Sequence, residues 1–414
     1  MTIRERIYSL LRWSEKYTKT DMIYLTKGGF WLTVAKVVSA LASLISSIAF
    51  ANLLPEHTYG VYRYVLSMAS LLAIPALYGM EAAITKSIAQ GKGGNVKQAV
   101  YTRMRWGVLG AIASLVLGAY YLAMGDITLG LTFAVTAIFV PFMEPFNSFS
   151  AILNGHKKFN LLAFYTVSIR LLVTLVVVTA ILFTDDIILI VGLFFGATTI
   201  LRFLCLKMSV RRTNLEATDD PFLTNYGKHL SLMGAFSKVA THADKILIFQ
   251  QVGGVALATF YLALIPFKQI QNVFNSLATL AMPKFSSNQI KTLKETLPRK
   301  LLVIYLFVVP TIILYLLAAP YIFELLYPQY LDAVLMSQIL MLQLLFFPLT
   351  LVGTVLTAQG HKNQLYFHTL SYSLIRITLL VILIPLYGVY GAIFGIIATN
   401  AVSSLILVVL FWRS

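Results

Sequence analysis

About twelve apolar stretches, each long enough to cross a bilayer, follow one another from Gly28 to the end of the chain. They cover residues 28–52, 61–85, 106–124, 127–152, 161–183, 187–206, 229–251, 258–281, 301–318, 332–356, 365–384 and 389–411. A helix of about 20 apolar residues matches the roughly 30 Å hydrocarbon layer. In lipid every backbone N–H and C=O needs a partner inside the protein, so runs of this length and composition are expected as α-helices. The expected fold class is therefore an all-α membrane protein. Composition agrees, with 58% hydrophobic and only 12% charged residues among 414. Cys205 is the single cysteine, which excludes an intrachain disulfide and a cysteine-rich metal site. The first apolar run begins only after Lys27, too far in and too long for a signal-peptide core, so it is expected to remain as a membrane helix.

A formal net charge of +16 suggests nucleic acid only if it forms a basic face on a soluble domain. Here it follows the loops. One alternating set holds Lys86, Lys92, Lys97, Arg103 and Arg105, then Lys157 and Lys158, then Lys207, Arg211 and Arg212, then Lys284, Lys291, Lys294, Arg299 and Lys300. The opposite set holds Glu56, Asp126, Asp185, Asp186, Glu324 and Asp332, with Arg63 at a helix edge. By the positive-inside rule the basic loops are cytoplasmic and both termini lie inside. Residues 1–27 carry Arg4, Arg6, Arg12, Lys16, Lys19 and Lys27 beside Ile3, Ile7, Leu10 and Leu11, the pattern of a cytoplasmic amphipathic segment.

The chain repeats at about half its length. Asn154-Gly155-His156-Lys157 leading to Arg170 recurs as Gln359-Gly360-His361-Lys362 leading to Arg376. Six spans per half, each half starting inside, imply parallel repeats: an N-lobe over 28–206 and a C-lobe over 229–414. A cytoplasmic linker over 207–228 joins them, and a central cavity is expected between the lobes.

Ionisable residues inside spans point to that cavity, since one charge near the bilayer centre costs about 2.5–3.5 kcal/mol. The span 229–251 carries Lys238, His242, Asp244 and Lys245, with Ser231, Gly234, Lys238 and Lys245 falling on one helical face. Lys36, Arg170, Lys268 and Arg376 are the other deep cations, and exposing the six to lipid would cost about 15–20 kcal/mol. The intramembrane acids are Glu81, Glu144 and Asp244, so the cavity is expected to be electropositive and to attract an anion. Asn272 and Asn275 add amide partners. Arg170 and Arg376 are equally consistent with pairing to carbonyls or to Glu144, and an interhelical ion pair with a lysine of a neighbouring helix is the alternative for Asp244, although a polar stripe more than three turns long favours a cavity lining. No nucleotide loop, zinc spacing or catalytic triad is present, and the external loops are short for an enzyme site. No cofactor and no nucleic-acid partner are expected.

These features resemble a known group. TYGVY at 58–62, GHKKFN at 155–160 and ADKILIFQQVGGVALATFYLA at 243–263 look like the Wzx-type polysaccharide and O-antigen flippases of the multidrug/oligosaccharidyl-lipid/polysaccharide exporter superfamily. The resemblance implies a flippase, not an enzyme, moving an undecaprenyl-diphosphate-linked oligosaccharide from the inner to the outer leaflet of the cytoplasmic membrane by alternating access. It further implies membrane lipids and other polysaccharide-assembly membrane proteins as partners. Lys36, Lys238, His242, Lys245, Lys268, Arg170, Arg376, Asn272 and Asn275 are then expected to bind substrate. Asp244, Glu144 and Glu81 are expected to gate or to take a coupling H+ or Na+. The alternatives are an ion-coupled small-molecule or drug exporter of the same fold and a membrane glycan polymerase or ligase.

Overall fold

The apolar runs form fourteen described α-helices: α1 Met22–Leu53, α2 Glu56–Leu72, α3 Met80–Ala89, α4 Val96–Ala123, α5 Ile127–Phe146, α6 Ser148–Gly155 and α7 Phe159–Phe183. There follow α8 Ile187–Arg212, α9 Leu223–Gln251, α10 Gly254–Ser287, α11 Ile290–Leu326, α12 Ala333–Met341, α13 Phe347–Ala358 and α14 Lys362–Arg413. The computed structural model describes residues 22–413 except 214, 216, 217, 219, 288 and 289, and omits the side chains of 22–28, 276–292 and 362. Residues 1–21, most of the basic segment expected over 1–27, lie outside the described residues.

Among the described residues, eight helical stretches are long and apolar enough to span a membrane, and the bent pair formed by α2 and α3 makes a ninth. One of the eight, Asn363–Arg413, is 51 residues long. It breaks at Gly388 (φ 56°, ψ −133°), a left-handed position that suits glycine, and so holds the last two predicted spans. The predicted spans 229–251 and 258–281 correspond to α9 and α10. The protein is thus a multi-pass, all-α membrane protein with its helices where the twelve apolar stretches predict them.

The chain divides into two compact units, Val34–Ala258 and a second formed by the residues up to Thr33 with those from Thr259. In the first unit α4 packs along α5, α5 along α8, and α9 against both α2 and α3. The α4 face that makes this contact is Ala99, Arg103, Gly107, Gly110, Ser114 and Gly118, spaced by three and four. A Cβ added at Gly107 would stand 2.9 Å from Pro141 Cα, and one at Gly118 would stand 2.9 Å from Gly130 O. Small residues are needed because van der Waals contact, not hydrophobic transfer, holds helices together in lipid. Ser114 completes the seam by donating to Phe133 O at 2.8 Å. On α9, Phe249 stacks on Tyr64 at 4.0 Å between centroids, and Ser231 Oγ accepts from Gly79 N at 3.0 Å.

In the second unit α13 packs against α14 and α11 against α12. Leu293, Leu297, Val352, Val355, Leu356, Leu407 and Phe411 form a buried cluster there. Gln338 ties α12 to α11 by donating to Leu316 O at 2.8 Å.

Polar loop residues also have local work. Asp126 and Asp186, read above as external acids, cap α5 and α8 by accepting from Leu129 N and Ile188 N, each at 2.8 Å. The two repeated His-Lys turns share one helix-ending pattern. After α6, the N–H groups of His156, Lys157 and Lys158 donate to Ile152, Asn154 and Leu153. After α13, those of Gln359, Gly360 and His361 donate to Val355, Thr357 and Leu356. The left-handed residue is Lys157 (φ 58°) in one and Gly360 (φ 78°) in the other. The geometric equivalence is therefore displaced by two residues from the one that the matching histidines suggest.

Candidate functional site

Two broken helices in the first unit create the site. Between α2 and α3 the chain passes through the 3-10 turn Ile74–Ala76 with Leu77 in the left-handed region (φ 55°), an arrangement that re-aims Tyr78 and Glu81. Between α5 and α6, Pro141 and Pro145 remove two helix donors. Asn147 N then bonds Glu144 O at 3.1 Å, the carbonyl three residues back, and Arg202 reaches in to satisfy Met143 O at 2.8 Å.

Arg103 projects from α4 into the gap between these breaks and is fully buried. Its Nε donates to Ala76 O at 3.1 Å and its Nη1 to Ser148 Oγ at 2.6 Å. Its Nη2 stands 3.6 Å from a carboxylate oxygen of Glu81 and 3.6 Å from one of Glu144. Asn147 donates to Glu81 Oε1 at 2.8 Å. On the far side Lys238 Nζ, from α9, lies 3.8 Å from Glu144 Oε1 and 4.4 Å above the Tyr78 ring.

The two cations differ in kind. Arg103 is held by four groups and reaches no water, so it serves as a fixed countercharge. Lys238 keeps 17% exposure and a contact longer than a hydrogen bond, so its hold on Glu144 is loose. The two carboxylates meet Arg103 and Lys238 directly and also feel Arg202, so removal of either contacting cation makes the cluster more negative and more favourable to a proton or a metal cation.

Three of the predicted residues, Lys238, Glu144 and Glu81, are thus brought together, and Arg103 joins them unforeseen. Its sequence assignment to a cytoplasmic loop is corrected here: α4 begins at Val96, some ten residues before the apolar run, and Arg103 lies inside it. The readable signal was the small-residue stripe from Ala99 to Gly118, which passes through position 103.

The other predicted residues are elsewhere. Asp244 and Lys245 are buried and bonded to each other, Nζ to Oδ1 at 2.9 Å, with Nζ also 3.3 Å from Thr241 O. That is the interhelical ion pair's short-range counterpart, closed between neighbours in sequence. His242 is half-buried on the same helix, and Lys36 is exposed on α1. Arg170 lines a pocket of about 70 Å³ with Arg63, Ser43 and Ser46. Arg63 itself donates to Tyr59 OH at 2.9 Å and lies within 5.7 Å of the Phe50, Tyr59 and Tyr62 ring centroids.

In the second unit, Lys268 and Asn272 are exposed, and Lys268 Nζ lies 5.8 Å from the Tyr261 ring centroid. Arg376 donates to Tyr372 OH at 2.7 Å. Asn275 lines a pocket of about 660 Å³.

Residues 25–289, more than half of the chain, match the family described as polysaccharide biosynthesis protein. No curated protein sequence matches. Among solved structures, the lipid II flippase MurJ in an inward closed conformation superposes with a TM-score of 0.73 at 15% identity, over 91% of this chain and 86% of that one. An outward-facing multidrug resistance MATE family transporter of the MOP superfamily gives 0.63 at 14% identity, over 92% and 93%. A MOP superfamily transporter from Pyrococcus furiosus gives 0.60 at 15% identity, over 94% and 95%. Identities this low establish the shared fold and nothing finer.

Proposed function

Since this chain belongs to the polysaccharide biosynthesis protein family, we propose that it is a flippase for a polyprenyl-diphosphate-linked oligosaccharide. It would carry the headgroup from the cytoplasmic to the outer leaflet of the cytoplasmic membrane by alternating access, leaving the isoprenoid tail in lipid. The observation that carries this reading is Lys238, a cation in the predicted span 229–251 whose carboxylate partner is 3.8 Å away and only partly shields it. A diphosphate leaving water needs charge-assisted donors, and a loosely held lysine can exchange Glu144 for phosphate. Arg103 cannot make that exchange without unsatisfying Ala76 O and Ser148.

The exchange supplies a means of coupling. When Lys238 turns to phosphate, Glu81 and Glu144 lose one of their cations, and the more negative site favours uptake of H+ or Na+ at that pair. Asp244 is the weaker candidate for this role because Lys245 already neutralises it at hydrogen-bond distance.

A second reading, an ion-coupled drug exporter, is favoured by the same fold in the MATE family transporter. Proteoliposomes separate the two. A lipid-linked glycan placed in one leaflet should become accessible to an impermeant lectin on the other side with wild-type protein and not with Lys238→Ala. A protein that exports an organic dye cation but never exposes the glycan would establish the exporter reading instead.

A further inference from the structure

The charge cluster accounts for a diphosphate but offers nothing shaped for sugar. The 660 Å³ pocket in the second unit has the complementary chemistry. It lies between α10, α13 and α14, where the 3-10 segment Leu342–Phe346 interrupts the helical path between α12 and α13. Such an interruption inside a span leaves backbone groups to be satisfied by side chains. Gln343 does so by donating Nε2 to Leu340 O at 3.0 Å, while its Oε1 accepts from Asn400 Nδ2 at 3.0 Å. Asn400 is thereby oriented with its carbonyl oxygen available as an acceptor. His368 Nε2 is bonded to Ser403 Oγ at 2.7 Å, and both residues line the pocket. The side chains of Gln271, Asn275 and Thr354 add further donors and acceptors, and the Phe267, Phe346 and Phe347 rings complete the wall.

The lining discriminates among ligands. Among the described residues the lining side chains include no Asp, Glu, Lys or Arg, so an ionised phosphate or a cation finds no countercharge among them, although Arg376 donates to the hydroxyl of the lining Tyr372 at 2.7 Å. Among the described residues no group of three His, Cys, Asp or Glu side chains could hold a metal ion. An acyl or isoprenoid chain would give no hydrogen-bond partner to the polar groups of the wall, such as the Gln271 amide and the Thr354 hydroxyl, at about 1–3 kcal/mol for each one desolvated. What fits is a neutral molecule dense in hydroxyl groups, each able to donate and accept, with C–H faces to lie against aromatic rings. The volume falls in the range of about 300–1,000 Å³ typical of small-molecule sites.

We propose that this pocket is a binding subsite for uncharged sugar residues, formed entirely within the Thr259–Ser414 part of the chain. The inference rests on the flippase reading: the Asn400–Gln343–His368 wall reads the sugar part of the substrate.

The test uses the purified full-length protein in nanodiscs, equilibrated with lipid extract from its host's membranes and spiked with sugar-free undecaprenyl diphosphate. Mass spectrometry of the retained lipids then reads the ratio of glycan-bearing to sugar-free polyprenyl diphosphate. Wild type should retain the glycan lipid preferentially. Asn400→Leu, and the isosteric Thr354→Val as a variant that spares folding, should reduce that ratio about tenfold and about threefold while sugar-free lipid is retained as before. Lys238→Ala should lower both lipids together and leave the ratio unchanged. Unchanged ratios in folded Asn400→Leu and Thr354→Val, or an equal fall of both lipids, would overturn the sugar subsite while leaving the flippase reading intact. Wild-type protein that retains neither lipid would overturn both.

Discussion

Replacing Arg103 with methionine should unfold the first unit, not merely slow transport. The guanidinium has no exposure, and its Nη2 stands 3.6 Å from both Glu81 and Glu144. Removing one member of a buried ion pair costs about 3–5 kcal/mol because its partner's charge remains. Here, with Lys238 as the partner still beside Glu144, both carboxylates remain. They are at most twice 3.6 Å apart, since they share one nitrogen. Two unit charges about 7 Å apart repel by roughly 2 kcal/mol at an effective dielectric near 20. Ala76 O and Ser148 Oγ also lose their donors. The combined penalty is comparable with a typical whole-domain stability of about 5–15 kcal/mol. Adding Glu81→Gln removes the repulsion while keeping an oxygen for Asn147, and should restore about 2 kcal/mol or more. Thermal melts of detergent-purified protein, followed by loss of the monodisperse size-exclusion peak, measure both effects. An Arg103→Met melt within about 2 °C of wild type, the shift expected for under about 1 kcal/mol, would refute the reasoning. So would a double variant no more stable than the single one.

The two lysines of α9 should separate in the same melts. Lys245→Met should lose about 3–5 kcal/mol by removing the cation bonded to buried Asp244, whereas partly exposed Lys238→Met should lose under about 1 kcal/mol; the opposite order would refute the assignment of structural and exchangeable roles. Gly107→Leu should destabilise by at least about 1–3 kcal/mol because its Cβ would press on Pro141 in the α4–α5 seam, and undiminished yields of monodisperse protein would count against that seam. A doubly charged headgroup moving outward gains roughly 4–5 kcal/mol per 100 mV, so flipping in vesicles should rise with a potassium–valinomycin potential. Flipping that ignores voltage but answers to pH or sodium alone would exclude electrophoretic drive and favour ion coupling.

Hydropathy made the helices legible because span formation is a local property: a run of apolar residues in lipid has one way to satisfy its backbone, whatever surrounds it. The predicted stretches accordingly fall on helices, including the two within α14 that part at Gly388. The polar face of α9 was legible for the same reason, since helical spacing alone sets which residues share a face. Charge pairing was not. Lys238 and Lys245 look equivalent in sequence, seven residues apart on one stripe, yet one meets its own neighbour Asp244 and the other reaches across to Glu144 on a different helix. Arg103 looked like a loop cation because it precedes the apolar run, and only the packing of α4 against the two broken helices buries it among four partners. The sugar-like lining of the second unit was equally hidden. Gln343, His368 and Asn400 stand on segments far apart in sequence, and no periodicity reports a distance across helices. The apolar pattern of the sequence determined that the chain spans the membrane as helices. The tertiary structure decided which intramembrane charges are spent on holding those helices together and which remain exchangeable, because electrostatic energy depends on the separation of partners that the chain brings together only on folding.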